Sequence, residues 1–277
     1  MRNAVILIAV VLGASSPLRA IVPGQSGQLP TDSTWGGNNW DLAHSYVYPW
    51  ATSSAVAVAP NFLLSAAHVG GGIGATTVIN GVTYTAQQIY LPPNDAGQAT
   101  NPDLQLIRLD KALPGVVTLY SGGFSGGQKV TMLGYGSTGT DHGTYYTMDT
   151  PGTGLTWGTN TIDASGRVNL ANQLSVVIHS SMAFSMNFNS GLTPYESGYG
   201  NNDSGGGTFV KVGNQWELAG INAYVDPQSA GSSNYIRSYA ISVPSYSTWI
   251  AATVPEPTTA AMVVCGGAML LGRRRWA

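Results

Sequence analysis

AVAVAPNFLLSAAHV (Ala55–Val69) consists of two short apolar runs on either side of the dipeptide Pro60-Asn61. Proline and asparagine favour tight turns, because proline fixes φ and asparagine hydrogen-bonds to its own backbone. Two apolar runs joined by such a turn predict a β-hairpin. His68 lies at the end of this hairpin, so the predicted fold holds its imidazole on a rigid element.

Further strand signals follow along the chain. Asn80-Gly81 lies between β-branched runs, which is the strongest short-range signal for a hairpin. Apolar or alternating runs at 104–109, 128–136 and 216–225 predict three more strands. Only 9% of the residues are charged, and 36 are glycine, a composition that favours β-structure and turns over long amphipathic helices. We therefore predict an all-β protein with one short C-terminal helix within 242–253, built as two barrels or sandwiches that join near residue 125.

The first 20 residues have the features of an export signal. A charged start at Arg2 is followed by the apolar run Ala4–Leu12 and then by small residues. This run is too short for a transmembrane helix and is typical of a secretory signal peptide. We expect signal peptidase to cleave after Ala20.

The C-terminal end, 254–277, combines three features in a fixed order. Val254-Pro255-Glu256-Pro257 precedes an apolar run at 258–272, and a cluster of three arginines follows at 273–275. The segment resembles the PEP-CTERM sorting signal of Gram-negative bacteria. The resemblance implies transient anchoring in the inner membrane, processing by an exosortase-type enzyme, and a protein that is secreted or associated with the cell envelope. A simple membrane anchor is the alternative.

Removal of both ends would leave six basic and thirteen acidic residues and no cysteine, since Cys265 is the only one. The resulting net charge of −7 argues against a nucleic-acid partner, which demands a basic patch. The carboxylates are scattered and no histidine pair has ligand spacing, so we predict no metal centre; a structural calcium ion held by loop carbonyl oxygens is the alternative that the sequence leaves open. Glycine motifs for phosphate or nicotinamide cofactors lack the strand–helix context that they require, so no cofactor is expected.

The glycine-rich loop GNNDSGGGTFV, residues 200–210, contains the best candidate nucleophile, Ser204. A serine hydroxyl needs a base to remove its proton, and that base must be oriented by a third group. Among the four histidines only His68 ends a clear hairpin; His44, His142 and His179 are interpreted as ordinary histidines. Asp103 immediately precedes an apolar strand, which suits a buried orienting carboxylate better than the settings of Asp95 or Asp110.

The segments LSAAHV, PDLQLIRL and NNDSGGG resemble the three signature segments of chymotrypsin/trypsin-like serine proteases, and they occur in that family's order. The resemblance extends over about 21–250. It implies two six-stranded antiparallel β-barrels, an N-terminal one at 21–125 and a C-terminal one with the helix at 126–253. It also implies a triad of Ser204 as nucleophile, His68 as general base and acid, and Asp103 as the orienting residue.

The same resemblance assigns roles to residues near the serine. The backbone N–H groups of Asn202 and Ser204 would form the oxyanion hole, although the family usually has glycine where this chain has Asn202. Asparagine is the best substitute, because it tolerates a left-handed backbone. Asp203 would pair with the α-ammonium group of Ile21 after cleavage, which would activate the enzyme. The competing interpretation of Ile21-Val22 is a plain lead-in strand.

The substrate pocket implied by the resemblance has Gly198 at its base and Ala223, Tyr224 and Val225 along one wall. The expected partner is a protein or peptide substrate, and the expected state is a monomer.

Three other functions compete with this interpretation. Gly123-Phe124-Ser125-Gly126-Gly127 matches the G-x-S-x-G elbow of α/β-hydrolases, but that motif needs a helix after it and a strand is predicted here. A subtilisin-like order of Asp41, His68 and Ser204 needs a parallel sheet flanked by helices. A catalytically silent protease fold could instead bind a surface or a biofilm matrix; covalent reactivity of Ser204 discriminates it from an enzyme.

Overall fold

The computed structural model describes residues 21–23, 45–151, 154–171, 177–189, 191–229 and 231–254. The predicted signal peptide, and the predicted sorting signal apart from its first residue, lie outside the described residues. Strands are numbered in chain order. The short strands β1 (Val22–Pro23) and β15 (Ser197–Gly198) pair with each other in a separate two-stranded antiparallel sheet.

The first sheet has six antiparallel strands in the order β2-β3-β4-β7-β6-β5. Their bounds are β2 (Val47–Trp50), β3 (Ser53–Ala59), β4 (Phe62–Ser65), β5 (Thr76–Ile79), β6 (Val82–Tyr90) and β7 (Gln105–Leu109). The turn between β5 and β6 has positive φ at both Asn80 (51°) and Gly81 (77°), as a two-residue hairpin turn of type I′ requires. Both hairpins predicted for this half of the chain are therefore present.

The second sheet contains ten strands, and its main path runs β10-β11-β18-β17-β16-β9-β12. The strands are β8 (Thr118–Leu119), β9 (Lys129–Gly134), β10 (Ser137–Asp141), β11 (Tyr146–Pro151), β12 (Thr156–Thr161), β13 (Ala164–Ala171), β14 (Val177–Asn187), β16 (Gly207–Val212), β17 (Gln215–Pro227) and β18 (Asn234–Ser242). The count exceeds the predicted six: the β10–β11 hairpin extends one end of the main path, and the short β8 pairs alongside β17.

Beyond β18 the chain forms the predicted helix. A 3-10 turn at Pro244–Tyr246 leads into α1 (Ser247–Thr253), whose Ile250 is buried. The two barrel-like sheets and this short helix give the chymotrypsin-like architecture that the sequence predicts. Within the described ranges, no helix has the length and apolar character needed to cross a membrane.

One apolar core joins the two sheets. Leu106 in the first sheet belongs to the same buried cluster as Phe209 and Ile221 in the second. Burial of each such side chain contributes about 1.5–3 kcal/mol. Because this core is continuous, the facing edges of the sheets are held at a fixed distance.

Register in the first sheet brings two predicted site residues together. Ser65 at the end of β4 pairs with Gln105 at the start of β7. Since the strands are antiparallel, the residues that follow β4 and those that precede β7 lie at the same end of the sheet. His68 and Asp103 therefore become neighbours despite a separation of 35 residues.

Candidate active site

His68 lies in a single 3-10 turn, Ala67–Val69, directly after β4. The Gln105 side-chain amide fastens this turn by donating to the carbonyl oxygens of Ala66 (3.1 Å) and Gly70 (2.8 Å). Gln105 is itself buried, so the surrounding core restricts the orientation of its side-chain amide. The backbone that carries the His68 imidazole is therefore held in place.

Asp103 holds the imidazole through both carboxylate oxygens. Oδ1 accepts the backbone N–H of His68 at 2.8 Å, and Oδ2 accepts its Nδ1–H at 2.6 Å. Asp103 is fully buried. Burial would raise the pKa of its carboxyl group, but the hydrogen bond and charge of His68, together with the charge of His179, hold that pKa below its usual value. Asp103 is therefore a carboxylate that fixes His68 as the tautomer with a proton on Nδ1.

Ser204 completes a continuous line of hydrogen bonds. Its Oγ lies 2.9 Å from Nε2 of His68, and 3.3 Å from the Ala223 carbonyl oxygen. Because Nδ1 of His68 donates to Asp103, Nε2 carries the lone pair that can accept the serine proton. The structure thus brings His68, Asp103 and Ser204 into the arrangement expected of an activated nucleophile.

The loop that carries Ser204 is pressed against the first sheet. Ser54 N–H donates to the Ser204 carbonyl oxygen at 3.0 Å. A Cβ added at Gly205, whose φ is 81°, would lie only 1.9 Å from the Ser54 carbonyl oxygen. Glycine at 205 is therefore needed for both the backbone angle and the close approach that places Ser204 between the sheets.

The two N–H groups predicted to form an oxyanion hole have no acceptor among the described residues. The N–H groups of Asp203, Gly205 and Gly206 all donate to carbonyl oxygens, whereas none is assigned to those of Asn202 and Ser204. Asn202 has a φ of 71°, the left-handed conformation that the sequence predicted for it. These two amides border the same cleft as the Ser204 hydroxyl.

Substitution at Asn202 is expected to test this backbone. Asn202→Gly should keep kcat within about threefold, because glycine adopts the same φ without strain. Asn202→Val should lower kcat roughly 10²-fold. A β-branched side chain disfavours the left-handed conformation by about 1–2 kcal/mol, and a change of conformation would turn the backbone N–H of residue 202 away from the oxyanion. Steady-state kinetics on a peptide ester would measure both.

The matched control for Asn202 is Asn80, which also has positive φ but lies in the distant β5–β6 turn. Asn80→Val should lower the melting temperature and leave kcat unchanged. Equal losses of kcat in both valine variants would mean that strain, and not donor geometry, causes the effect.

A cavity of about 560 Å³ opens beside Ser204 and His68. Ala223 and Val225, two of the residues assigned to the substrate pocket, lie on its wall. The β10–β11 hairpin adds Met148 and Asp149, which no sequence pattern predicted.

The other two residues assigned to the substrate pocket are placed by different contacts. Gly198 pairs with Val22, and a Cβ at this position would lie 2.3 Å from the ring of Tyr146. Tyr224 is buried, and its ring centroid is 6.0 Å from that of His68. That Gly198 and Tyr224 form part of the pocket stays a prediction.

Asp203 is fully buried next to the nucleophile and meets the predicted activation partner. It accepts N–H groups from Gly200 (2.7 Å), Gly136 (2.9 Å) and Ile21 (3.2 Å). Burial raises the pKa of Asp203 to about 7 despite these three bonds. The nitrogen of Ile21 and the Asp203 carboxylate are thus in contact inside the protein.

The competing sites find less support in the geometry. Ser125 is followed by strand β9 and not by a helix, so the α/β-hydrolase elbow lacks its context. Asp41 lies outside the described residues, and the sheets are antiparallel apart from the β8–β17 pair and one isolated bridge. In the described part of the chain, no group of three or more histidine, cysteine, aspartate or glutamate residues could hold a metal ion.

Comparison with known proteins agrees with this geometry. The family model described as Trypsin matches residues 38–250. The mouse brain serine protease neuropsin is 17% identical over 73% of this chain and 88% of its own, with a TM-score of 0.50. The Rv3671c protease of M. tuberculosis, in an inactive form, is 12% identical over 71% and 80%, with a TM-score of 0.47. A search of curated proteins found no significant match.

Proposed function

The chain belongs to the trypsin family, and on this premise we propose that it is a secreted serine endopeptidase. Ser204 is the nucleophile, His68 the general base and then general acid, and Asp103 the residue that orients His68. One observation carries the proposal: the hydrogen-bonded line from buried Asp103 through His68 to Ser204 at the cleft.

In the first half of the reaction, Ser204 Oγ attacks the scissile carbonyl carbon while its proton moves to Nε2 of His68. The carbonyl π electrons move to the oxygen, which becomes the oxyanion. When the tetrahedral intermediate collapses, the C–N bond breaks and His68 gives its proton to the leaving amine. The product is an acyl group esterified to Ser204.

In the second half, water replaces the leaving amine. His68 removes a proton from water, the resulting hydroxide attacks the ester carbonyl, and the proton returns to Ser204 Oγ as the ester bond breaks. Asp103 remains ionised throughout and stabilises the His68 imidazolium. Donors preorganised for the oxyanion, here the amides of Asn202 and Ser204, are worth about 3–4 kcal/mol each.

Cleavage after Ala20 would activate the enzyme by changing the charge on the Ile21 nitrogen. Before cleavage this nitrogen is a neutral amide, and Asp203 is a buried carboxyl group without a counter-ion. After cleavage it is an ammonium group in contact with Asp203. A buried carboxylate is stable only when it is paired and hydrogen-bonded, so the ion pair would hold the 200–205 loop in its catalytic conformation.

Processing and location complete the proposal. Signal peptidase would remove 1–20, an exosortase-type enzyme would process 254–277, and the mature chain would act as a monomer on protein or peptide substrates outside the inner membrane. The division at residue 125 remains a prediction, as do the location in the cell envelope and the Gram-negative source.

Labelling with a fluorophosphonate probe tests the proposal, because only an activated serine attacks the phosphorus atom. We expect one adduct on Ser204 in protein comprising residues 21–256, located by mass spectrometry. Ser204→Ala and His68→Ala should both remove it.

Ser125→Ala is the matched control, since it deletes the rival serine and should label normally. A folded protein with a free Ile21 terminus that takes up no label would contradict the enzymatic proposal. Such a protein would be assigned to the class of protease folds that only bind a surface or a matrix.

A further inference from the structure

Asp103 contacts a second histidine besides His68. Nε2 of His179, on β14, lies 3.7 Å from Oδ1 of Asp103. Nδ1 of the same ring lies 3.2 Å from the Asn101 carbonyl oxygen. The buried carboxylate therefore lies between two imidazoles, although the sequence placed His179 among the ordinary histidines.

Both ring nitrogens of His179 face acceptors, which decides the chemistry of this contact. A carbonyl oxygen only accepts, so Nδ1 must carry a proton to bond to Asn101. A proton on Nε2 as well would then point at a carboxylate oxygen, while a lone pair there would face negative charge. Protonation of His179 would thus place a cation against the Asp103 carboxylate. The His179 side chain is 20% exposed, so water can reach it.

The other charged groups on the surrounding elements are already engaged. Arg167 on β13 forms an ion pair with Asp95 at 2.9 Å. The Tyr246 hydroxyl donates to the same Asp95 carboxylate at 3.0 Å. Tyr224 is a buried phenol near Asp103. Its burial and the charge of Asp103 raise the pKa of its hydroxyl group far above the usual value. Histidine is the side chain whose charge ordinarily depends on pH near neutrality, and two histidines, His68 and His179, face the Asp103 carboxylate.

We propose that His179 is a positioning residue that couples the triad to pH by competing with His68 for the negative charge of Asp103. This inference rests on the proposed function, since it concerns the same reaction. When His179 is neutral, Asp103 is free to stabilise the imidazolium that forms on His68 during attack by Ser204. When His179 is protonated, its positive charge offsets that of Asp103 and repels the cation forming on His68.

A pair of charge variants separates this role from simple packing. His179→Gln keeps a neutral polar side chain, and its kcat/KM on the alkaline plateau should stay within about twofold of wild type. His179→Lys places a lasting cation beside Asp103, and should lower that plateau about tenfold. It should also move the midpoint of the acid limb to lower pH, because the cation opposes protonation of His68.

His142→Lys is the matched control, since His142 is an exposed histidine in the β10–β11 hairpin that stacks on Tyr145 and lies 3.3 Å from Oγ1 of Thr147. It should alter neither the plateau nor the midpoint. If His179→Lys and His179→Gln gave the same pH profile and differed from wild type only in melting temperature, His179 would be a structural residue and the proposal would be wrong.

A second measurement does not depend on turnover. In Ser204→Ala protein, NMR can follow both imidazoles from pH 5 to 9. Because coupling between two sites is reciprocal, each ring should show a second inflection at the midpoint of the other, and His179→Gln should remove it from His68. Independent single titrations would overturn the proposal. A protein without hydrolytic activity that shows coupled titrations would contradict the proposed function alone.

Discussion

Asp103→Asn is expected to lower kcat about 10⁴-fold while the chain still folds. The amide has the shape of the carboxylate, and its oxygen can still accept the backbone N–H of His68. Its NH₂ group, however, would donate to Nδ1 of His68, where the carboxylate accepts. The imidazole would then carry its proton on Nε2, facing Ser204, and could not remove the serine proton. Initial rates on an activated peptide ester would measure the loss.

Asp110→Asn is the matched control, because Asp110 lies beyond the other end of β7 and bonds only to Thr85 and Lys111. Its kcat should stay within about twofold of wild type. A loss smaller than tenfold in Asp103→Asn, with a melting temperature near that of wild type, would show that the carboxylate does not set the tautomer of His68.

The parts of the fold that the sequence predicted are those with local signals. The hairpin at Ala55–Val69 has a turn dipeptide between apolar runs, and Asn80-Gly81 requires a turn with two positive φ angles. The β10–β11 hairpin was not predicted, because its strands are rich in threonine and have little apolar alternation. Its position depends on pairing between Tyr146 and Tyr235, which are 89 residues apart in sequence. A short stretch of sequence therefore cannot indicate this pairing.

The same distinction explains which site residues could be found. His68, Asp103 and Ser204 each lie in a short segment with a recognisable pattern. Met148, Asp149 and His179 reach the site only through long-range register. His179, for example, depends on β14 pairing with β18 and on the approach of the Asn101 loop. The contact between Gly198 and the Tyr146 ring is likewise long-range, and no local pattern in the sequence indicates it.

Blocking the Ile21 nitrogen is expected to lower kcat/KM about 10²–10³-fold. The mature chain begins at Ile21, and its ammonium group would neutralise Asp203 inside the protein. With one alanine before Ile21, the nitrogen is an amide and the buried carboxylate has no counter-ion. Loss of one partner of a buried pair costs about 3–5 kcal/mol, and each 1.4 kcal/mol corresponds to a tenfold change. Peptide hydrolysis by the two forms, prepared with defined N-termini, measures the difference.

Stability against pH provides the control, in Ser204→Ala protein that cannot process itself. In the extended form, burial raises the pKa of Asp203 to about 7, above its value near 3.9 in an unfolded chain. The native state then binds more protons than the unfolded state between these values, so the free energy of unfolding falls as pH rises from about 4 to 7. In the form that begins at Ile21, the ammonium group favours the ionised carboxylate and this loss should be much smaller. Asp203→Asn should remove the difference between the two forms. Equal activity and parallel pH profiles with Asp203 intact would mean that Ile21-Val22 is only a lead-in strand.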